Sequence, residues 1–303
     1  MAQSRNITMR LTNRQRETLW GYLFVAPQMI GFSILIVVPL ITIFVFSTEQ
    51  RNLLTGIITP VGLENFRTIF EDDVLFKKVL LNTLTFTLGL VPLNIGLALL
   101  LASLLSQKLR GITIFRVLFF SPVVTSAVAW AIVWKFMLQG DQGTVNQVLQ
   151  LVGIEGPNWL RRPEWAMLSV IVTLVIKNVG LNMIILLAAL TNMPQEYREA
   201  AHVDGATRWQ VFRRITLPLL APTLLFVTVI TMIGSLKVFD HIMLMTAGGP
   251  ANSTMVLVYY IYYQAFQFFE TGYASALAVI LFVLALGLTL FQWVIRGRAA
   301  YDD

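Results

Sequence analysis

Charged and amide side chains are scarce in this chain, and several of them stand inside long apolar runs. Lys177, Asn178 and Asn182 fall within one such run. Asn178 and Asn182 are four residues apart, so on a helix they share a face. Thr231 and Ser235 repeat that spacing in a second run, and Thr125 and Ser126 lie in a third, with Trp130 close behind. Polar groups in apolar surroundings are costly and mark candidate functional positions. Amides and hydroxyls both donate and accept hydrogen bonds. The chemistry on offer is therefore recognition of a polar molecule, or hydrogen bonding between helices at about 0.6 kcal/mol per bond. Bond-making chemistry has no residues to do it. The chain has no cysteine, which excludes disulfides, thiolate metal sites and a thiol nucleophile. Its two histidines, His202 and His241, are far apart and read as isolated polar residues. No Ser-His-Asp set, paired carboxylates or metal-ligand spacing is apparent, so no catalytic residue and no metal site is expected. A Gly-x-x-x-x-Gly-Lys-Ser/Thr phosphate loop is also missing, so the chain does not itself cradle ATP.

A second polar stretch interrupts the apolar runs: Glu199-Ala-Ala-His-Val-Asp-Gly205, followed by Ile215-Thr-Leu-Pro218. It reads as two short helices joined at a glycine. Pro194 suits a first helical turn, and the acids behind it suit a helix N-terminus. Gly205 can take a positive φ without strain and so ends the first helix. Thr207-Arg-Trp-Gln210 has the form of a capping box and starts the second. Trp209, Phe212 and Ile215 then fall on one side, Arg208, Arg213 and Arg214 supply positive charge, and Pro218 marks an end or a kink. The result is an elbow at a membrane surface. Ala200, Ala201 and Gly205 at its tip are small enough to let another protein approach the backbone.

The elements that must position these residues follow from composition. The chain has 303 residues, 56% hydrophobic and 13% charged, with a mean hydropathy of +0.72. Soluble domains carry about 25% charged residues, so this is a membrane protein with room for about six to eight spans of roughly 20 residues. Apolar runs place spans at about 19–46, 79–105, 115–138, 165–190, 217–239 and 273–295. The first is too long for a signal-peptide core and lacks a cleavage site, so it is read as an uncleaved span. Residues 47–77 and 139–165 read as longer loops, and 254–269 as a partly buried or interfacial helix. Trp20, Trp130, Trp134, Trp165 and Trp293 near span ends fit aromatic belts. Lys135 and Lys237 sit near ends from which they can snorkel. Lys177 is deeper, where it pairs with a carboxylate or lines water.

The net charge of +6 is topological. Arg5, Arg10, Arg14, Arg16, Lys108, Arg110, Arg116, Arg198, Arg208, Arg213, Arg214, Arg296 and Arg298 all fall on one side of the predicted spans. They outnumber Arg51, Arg67, Lys77, Lys78, Arg161 and Arg162 on the other. The positive-inside rule then puts both termini and the elbow in the cytoplasm. Nucleic acid is not an expected partner.

The elbow, with Glu-Ala-Ala, three residues, Gly, nine residues and Ile-x-Leu-Pro, resembles the signature loop of binding-protein-dependent ABC importer permeases. Ala188-Ala-Leu-Thr-Asn-Met-Pro194, Ile215-Thr-Leu-Pro-Leu219, Thr246-Ala-Gly-Gly-Pro250 with Thr254, and Gly272-Tyr-Ala-Ser-Ala276 extend the likeness. They look like sugar-type permeases related to the maltose and glycerol-3-phosphate importers. The resemblance covers roughly residues 20–295. It implies an all-α polytopic membrane protein of the type I ABC importer permease fold, with about six transmembrane helices. A transmembrane domain over 19–295 then carries a cytoplasmic coupling-helix loop at 193–217, between cytoplasmic tails at 1–18 and 296–303.

The resemblance further implies that the loop docks into a cleft on a cytoplasmic ATPase, with Glu199, Ala200, Ala201, Asp204, Gly205 and Arg208 at the coupling positions. It puts Thr125, Ser126, Trp130, Lys177, Asn178, Asn182, Thr231 and Ser235 along the substrate pathway. There amides and hydroxyls suit sugar hydroxyls, and Trp130 is a candidate to stack on a sugar face. The implied partners are a second homologous permease, two ATPase subunits (or one as a homodimer), a periplasmic or lipid-anchored solute-binding protein, and membrane lipid. This chain binds no cofactor, and ATP and Mg belong to the ATPase. The expected site is a bacterial-type inner membrane and the expected mechanism alternating access. One alternative is an ABC permease for a non-sugar solute. Another is an ion-coupled secondary transporter, against which stands the lack of any acid within the central part of a span. A third is a membrane scaffold, against which stand the polar residues in several spans.

Overall fold

The structure, a computed structural model, describes residues 12–107, 111–194 and 196–299. Five continuous helices are long and apolar enough to cross a membrane: α1 (Asn13–Ser47), α3 (Val74–Leu105), α7 (Pro163–Thr191), α9 (Arg208–Leu236) and α11 (Thr271–Ala299). A bent pair, α4 (Ile112–Val124) and α5 (Ala127–Met137), makes a sixth apolar unit. Between them lie α2 (Glu64–Glu71), α6 (Thr144–Leu151), α8 (Glu196–Val203) and α10 (Leu257–Phe266). A two-stranded hairpin, β1 (Glu49–Arg51) and β2 (Ile58–Pro60), pairs Gln50 with Thr59 in antiparallel register.

α7 is the central post. Two thirds of its apolar window is buried within the chain, against none of that of α1. It packs along α3 for most of its length and also meets α4 and α9. Two apolar cores flank it. One gathers Phe86, Leu90, Val170, Leu174, Ile242, Leu257 and Leu277. The other gathers Ala98, Ala102, Val179, Met183, Leu186, Leu220 and Val227. The close approach of α4 to α7 depends on Gly180, because a Cβ there would collide with the backbone carbonyl of Phe119.

Prolines do not end these helices. Pro27, Pro92 and Pro222 lie inside α1, α3 and α9. Two further prolines follow π-helical turns, Pro39 after Ser33–Val37 and Pro218 after Phe212–Thr216. A proline ring clashes with the carbonyl four residues back. That carbonyl belongs to Leu35 for Pro39 and to Arg214 for Pro218, both inside the wider π turn, which relieves the clash.

Three sequence expectations are corrected here. Of the end or kink expected at Pro218, the end is overturned, because the helix continues from Arg208 through Leu236, with the π turn Phe212–Thr216 just before the proline. The third span is not one helix: it breaks at Thr125–Ser126 and turns by 101°. The loops at 47–77 and 139–165 contain local structure, namely the hairpin and α2 in the first and a 3-10 turn (Gly140–Gln142) and α6 in the second. Arg5, Arg10, Lys108, Arg110 and Gln195 lie outside the described residues, as do the side chains of Arg198, His202, Trp293, Arg296 and Arg298.

Asp73 ties the start of α3 to two later helices. Its Oδ1 caps α3 by accepting from the N–H groups of Leu75 (2.9 Å) and Phe76 (3.0 Å). Its Oδ2 accepts from the hydroxyls of Tyr260 on α10 (2.7 Å) and Tyr273 on α11 (2.6 Å). One carboxylate thus accepts four hydrogen bonds from three helices.

Candidate functional site

α3, α7 and α9 leave a cleft of about 210 Å³ between them. Its polar lining is Asn178, Asn182, Thr231 and Ser235, and its apolar lining includes Phe86, Leu90, Leu174, Leu181, Ile230 and Val238. The i, i+4 spacing of each polar pair does bring both members to one wall. Gly234 opens the α9 wall between Thr231 and Ser235, and the position of its missing Cβ has no heavy atom within 4 Å.

The polar groups differ in what they have left to offer. Asn182 donates both amide hydrogens, to Asn94 Oδ1 on α3 (2.7 Å) and to Thr231 Oγ1 on α9 (2.8 Å). Thr231 in turn donates to the Val227 carbonyl (2.6 Å). Asn94 donates to the Val175 carbonyl (3.3 Å). Ser235 bonds the Met232 carbonyl (2.7 Å) and Thr87 Oγ1 (3.1 Å). Asn178 is half-buried and makes no side-chain hydrogen bond among the described residues. Asn94 and Thr87 escaped the sequence reading, although each is a polar residue within an apolar run. The rule that singled out Asn182 and Ser235 applies equally to them.

Thr125, Ser126, Trp130 and Lys177 gather elsewhere, at the break between α4 and α5. A helix that ends inside an apolar layer leaves its last carbonyls without partners. Lys177 supplies them: its ammonium donates to the carbonyls of Thr125 (2.6 Å) and Pro122 (3.0 Å). A cation also suits the negative end of the α4 dipole. Lys177 therefore pairs with backbone oxygens, where the sequence pointed to a carboxylate or water. The ring of Trp130 lies 5.7 Å from the same ammonium, within cation–π range. Its indole N–H donates to the Thr173 carbonyl (3.0 Å). Trp130 is thereby fastened to α7, and it does not line the cleft.

The elbow folds as its capping signals predict. Gly205 has φ +77°, the left-handed conformation that favours glycine. The N–H of Ala206 reaches back to the Ala201 carbonyl (2.9 Å), closing α8 as a Schellman turn. Thr207 and Gln210 form the capping box, with Thr207 N–H on Gln210 Oε1 (2.7 Å) and Gln210 N–H on Thr207 Oγ1 (3.4 Å). Glu199, Ala200, Asp204 and Arg208 are exposed, and Ala201 is buried. Trp209 and Phe212 stack with ring centroids 5.7 Å apart. Asp204, Gly205, Gln210 and Arg214 border a shallow hollow.

A polytopic bundle with a polar cleft, a broken span and a glycine-closed elbow defines a membrane permease. Residues 94–299 match the family of binding-protein-dependent transport system inner membrane components, and the chain belongs to that family. It is 37% identical over 295 residues to the lactose transport system permease protein LacF of Rhizobium radiobacter, with 94% of this chain and 97% of that one covered. It is 30% identical over 279 residues to the arabinooligosaccharides transport system permease protein AraP of Bacillus subtilis, covering 91% and 88%. A chain in the crystal structure of a bacterial alginate ABC transporter, in complex with an alginate pentasaccharide-bound periplasmic protein, superposes with a TM-score of 0.79. That chain is 29% identical, with 93% of this chain and 96% of that one covered.

Proposed function

We propose that this chain forms part of the translocation pathway of an ATP-driven importer for a sugar or oligosaccharide delivered by an extracytoplasmic binding protein. The observation that carries the reading is the continuity of α9. Arg208, its first residue, joins the elbow, and Thr231 and Ser235 near its other end line the cleft. At 1.5 Å per residue about 35 Å of unbroken helix joins the two. A push on the elbow therefore reaches the cleft along one continuous helix. The relatives named for lactose, arabinooligosaccharides and alginate support carbohydrate as the solute class.

In this reading Glu199, Ala200, Ala201, Asp204, Gly205 and Arg208 engage a separate ATPase, which holds ATP and Mg, while this chain binds no cofactor. Asn178, Asn182, Thr231 and Ser235 form the wetted wall of the pathway. Thr125, Ser126, Trp130 and Lys177 hold the broken span behind it. A second, homologous permease completes the pathway and two ATPase subunits drive it. Residues 19–295 form the transmembrane domain of an inner-membrane protein, with the tails at 1–18 and 296–303 and the loop at 193–217 in the cytoplasm. ATP binding closes the ATPases and turns the cleft outward, and hydrolysis returns it inward. The test is uptake by proteoliposomes containing the assembled complex and its binding protein. Accumulation that needs ATP supports the reading, and accumulation that needs only an ion gradient refutes it.

A further inference from the structure

We infer that His241 is a positioning residue: while neutral it holds the far end of α9 against the broken span, and when protonated it releases that end. The inference goes beyond the transport reading, and neither the solute nor the ATPase enters it.

Two contacts fix the course of the chain here. Asn182 on α7 donates to Thr231 on α9 (2.8 Å). Thr173 on α7 donates to Met245 Sδ (3.8 Å), in the π-helical turn Ile242–Thr246 that follows α9. Position 182 therefore faces 231 and position 173 faces 245, so the two segments run antiparallel. Lys177 and His241 both lie between these contacts, each one turn from the Thr173–Met245 pair, and so stand level. The π turn also packs on α5, the second half of the broken span. His241 thus sits where α5, α7 and the end of α9 meet, beside the cation that holds the break at Thr125 and Pro122.

The site is built for a neutral imidazole. Lys177 and His241 are the only basic residues buried among those described, and no described Asp or Glu is buried. His241 is 4% exposed, and its Nε2 has no hydrogen-bond partner among the described residues. The charged residues on the two helices packed here are Lys135 on α5, which is exposed, and Glu164 and Lys177 on α7. Lys177 opposes protonation of His241, and the exposed Asp240 next to it in the chain favours it. Burial is the larger effect, and the imidazole is pushed down from its usual 6.5 to about 4. An imidazolium here would be a second buried cation with no buried acid to pair with it.

Release into water restores the ordinary affinity for a proton, so acid favours the released arrangement. The closed arrangement keeps its full advantage above the ordinary value of 6.5 and loses it as pH falls toward about 4. From pH 7.5 to pH 5.5 the ratio of released to closed forms should rise about tenfold. Thr231 and Ser235 lie on the same end of α9 and line the cleft, so its wall moves with the release.

The experiment places nitroxides at Lys135→Cys on α5 and Lys237→Cys at the end of α9, both exposed, in this cysteine-free chain. The complete transporter is held in lipid nanodiscs without ATP, and singly substituted controls remove any signal from its other subunits. Electron paramagnetic resonance then gives the distance distribution at pH 7.5 and pH 5.5. The expected result is a longer-distance population that grows about tenfold relative to the shorter one at the lower pH. In His241→Gln, and equally in His241→Phe, the distribution should be the same at both pH values. An unchanged distribution in the wild-type background overturns the proposal. So does a pH response that persists in both variants, because another group then carries it.

Discussion

The ammonium of Lys177 lies 2.6 Å from the carbonyl oxygen of Thr125, on a different helix and at the last backbone position before a 101° turn. A sharp break in an apolar layer is tolerated only where the freed backbone groups find partners. Lys177 is that partner, for Pro122 as well as Thr125. The same device recurs where Arg116 on α4 donates to the Leu105 carbonyl at the end of α3 (3.0 Å).

Replacing Lys177 should therefore act on the fold first. Lys177→Met keeps the length of the side chain and strands two carbonyls, at about 1–3 kcal/mol for each buried unsatisfied group. The expected outcome is a lower melting temperature of the purified complex and a lower yield of folded protein. Lys177→Arg, which retains donors, should lie between the two. A melting temperature for Lys177→Met equal to wild type would mean that the break is held by packing alone.

Asn94 and Asn182 form a brace from α3 to α7, extended to α9 by Thr231. Single alanine substitutions at 94 and 182 should each destabilise, and the double variant should cost less than their sum. Coupling of about 0.6 kcal/mol, up to about 2, is the range for such bonds between membrane helices. A double-mutant cycle read by reversible unfolding measures it, and strict additivity would show that the two amides do not cooperate.

How much of this was legible beforehand depends on the range of the contact. Thr207, Gln210 and Gly205 act within one or two turns of chain, and their spacing alone specified the elbow. The apolar runs located each span, although α1 starts at Asn13 and α9 at Arg208, well before the expected Leu19 and Leu217. The break at Thr125–Ser126 was not legible. Pro122 is the local signal, yet Pro27, Pro92 and Pro222 sit in helices that continue. What separates the cases is Lys177, 52 residues away from Thr125 in sequence. Pro218 misled in the opposite direction, because the π turn that accommodates it has no signature in residue type. Asn94 and Asn182 are 88 residues apart, and each reads separately as a polar residue in a span. Their pairing appears only in three dimensions.

The orientation drawn from the basic residues can be checked directly, because the chain has no cysteine of its own. Asp204→Cys should resist an impermeant thiol reagent in intact cells and react once the membrane is opened. A cysteine placed at Thr55, between the hairpin strands, should behave in the opposite way. Labelling of position 204 from outside would invert the assignment and separate the elbow from any cytoplasmic ATPase.

The central claim is that the elbow converts ATPase movement into movement of the cleft, and Gly205 is where it is most exposed to test. At φ +77° a β-branched residue is a conformational outlier, and strain of this kind costs about 1–3 kcal/mol. The spans make their own backbone hydrogen bonds and do not depend on this turn. Gly205→Val should insert and assemble its bundle, while Gly205→Ala, with one methyl and open space around it, should be milder. The decisive measurement is ATP-dependent solute uptake by the reconstituted complex, read together with hydrolysis stimulated by the loaded binding protein. The account predicts that both fall sharply in Gly205→Val, with the ATPase lost on co-purification or retained but unresponsive. Wild-type uptake and wild-type stimulation in Gly205→Val would contradict it.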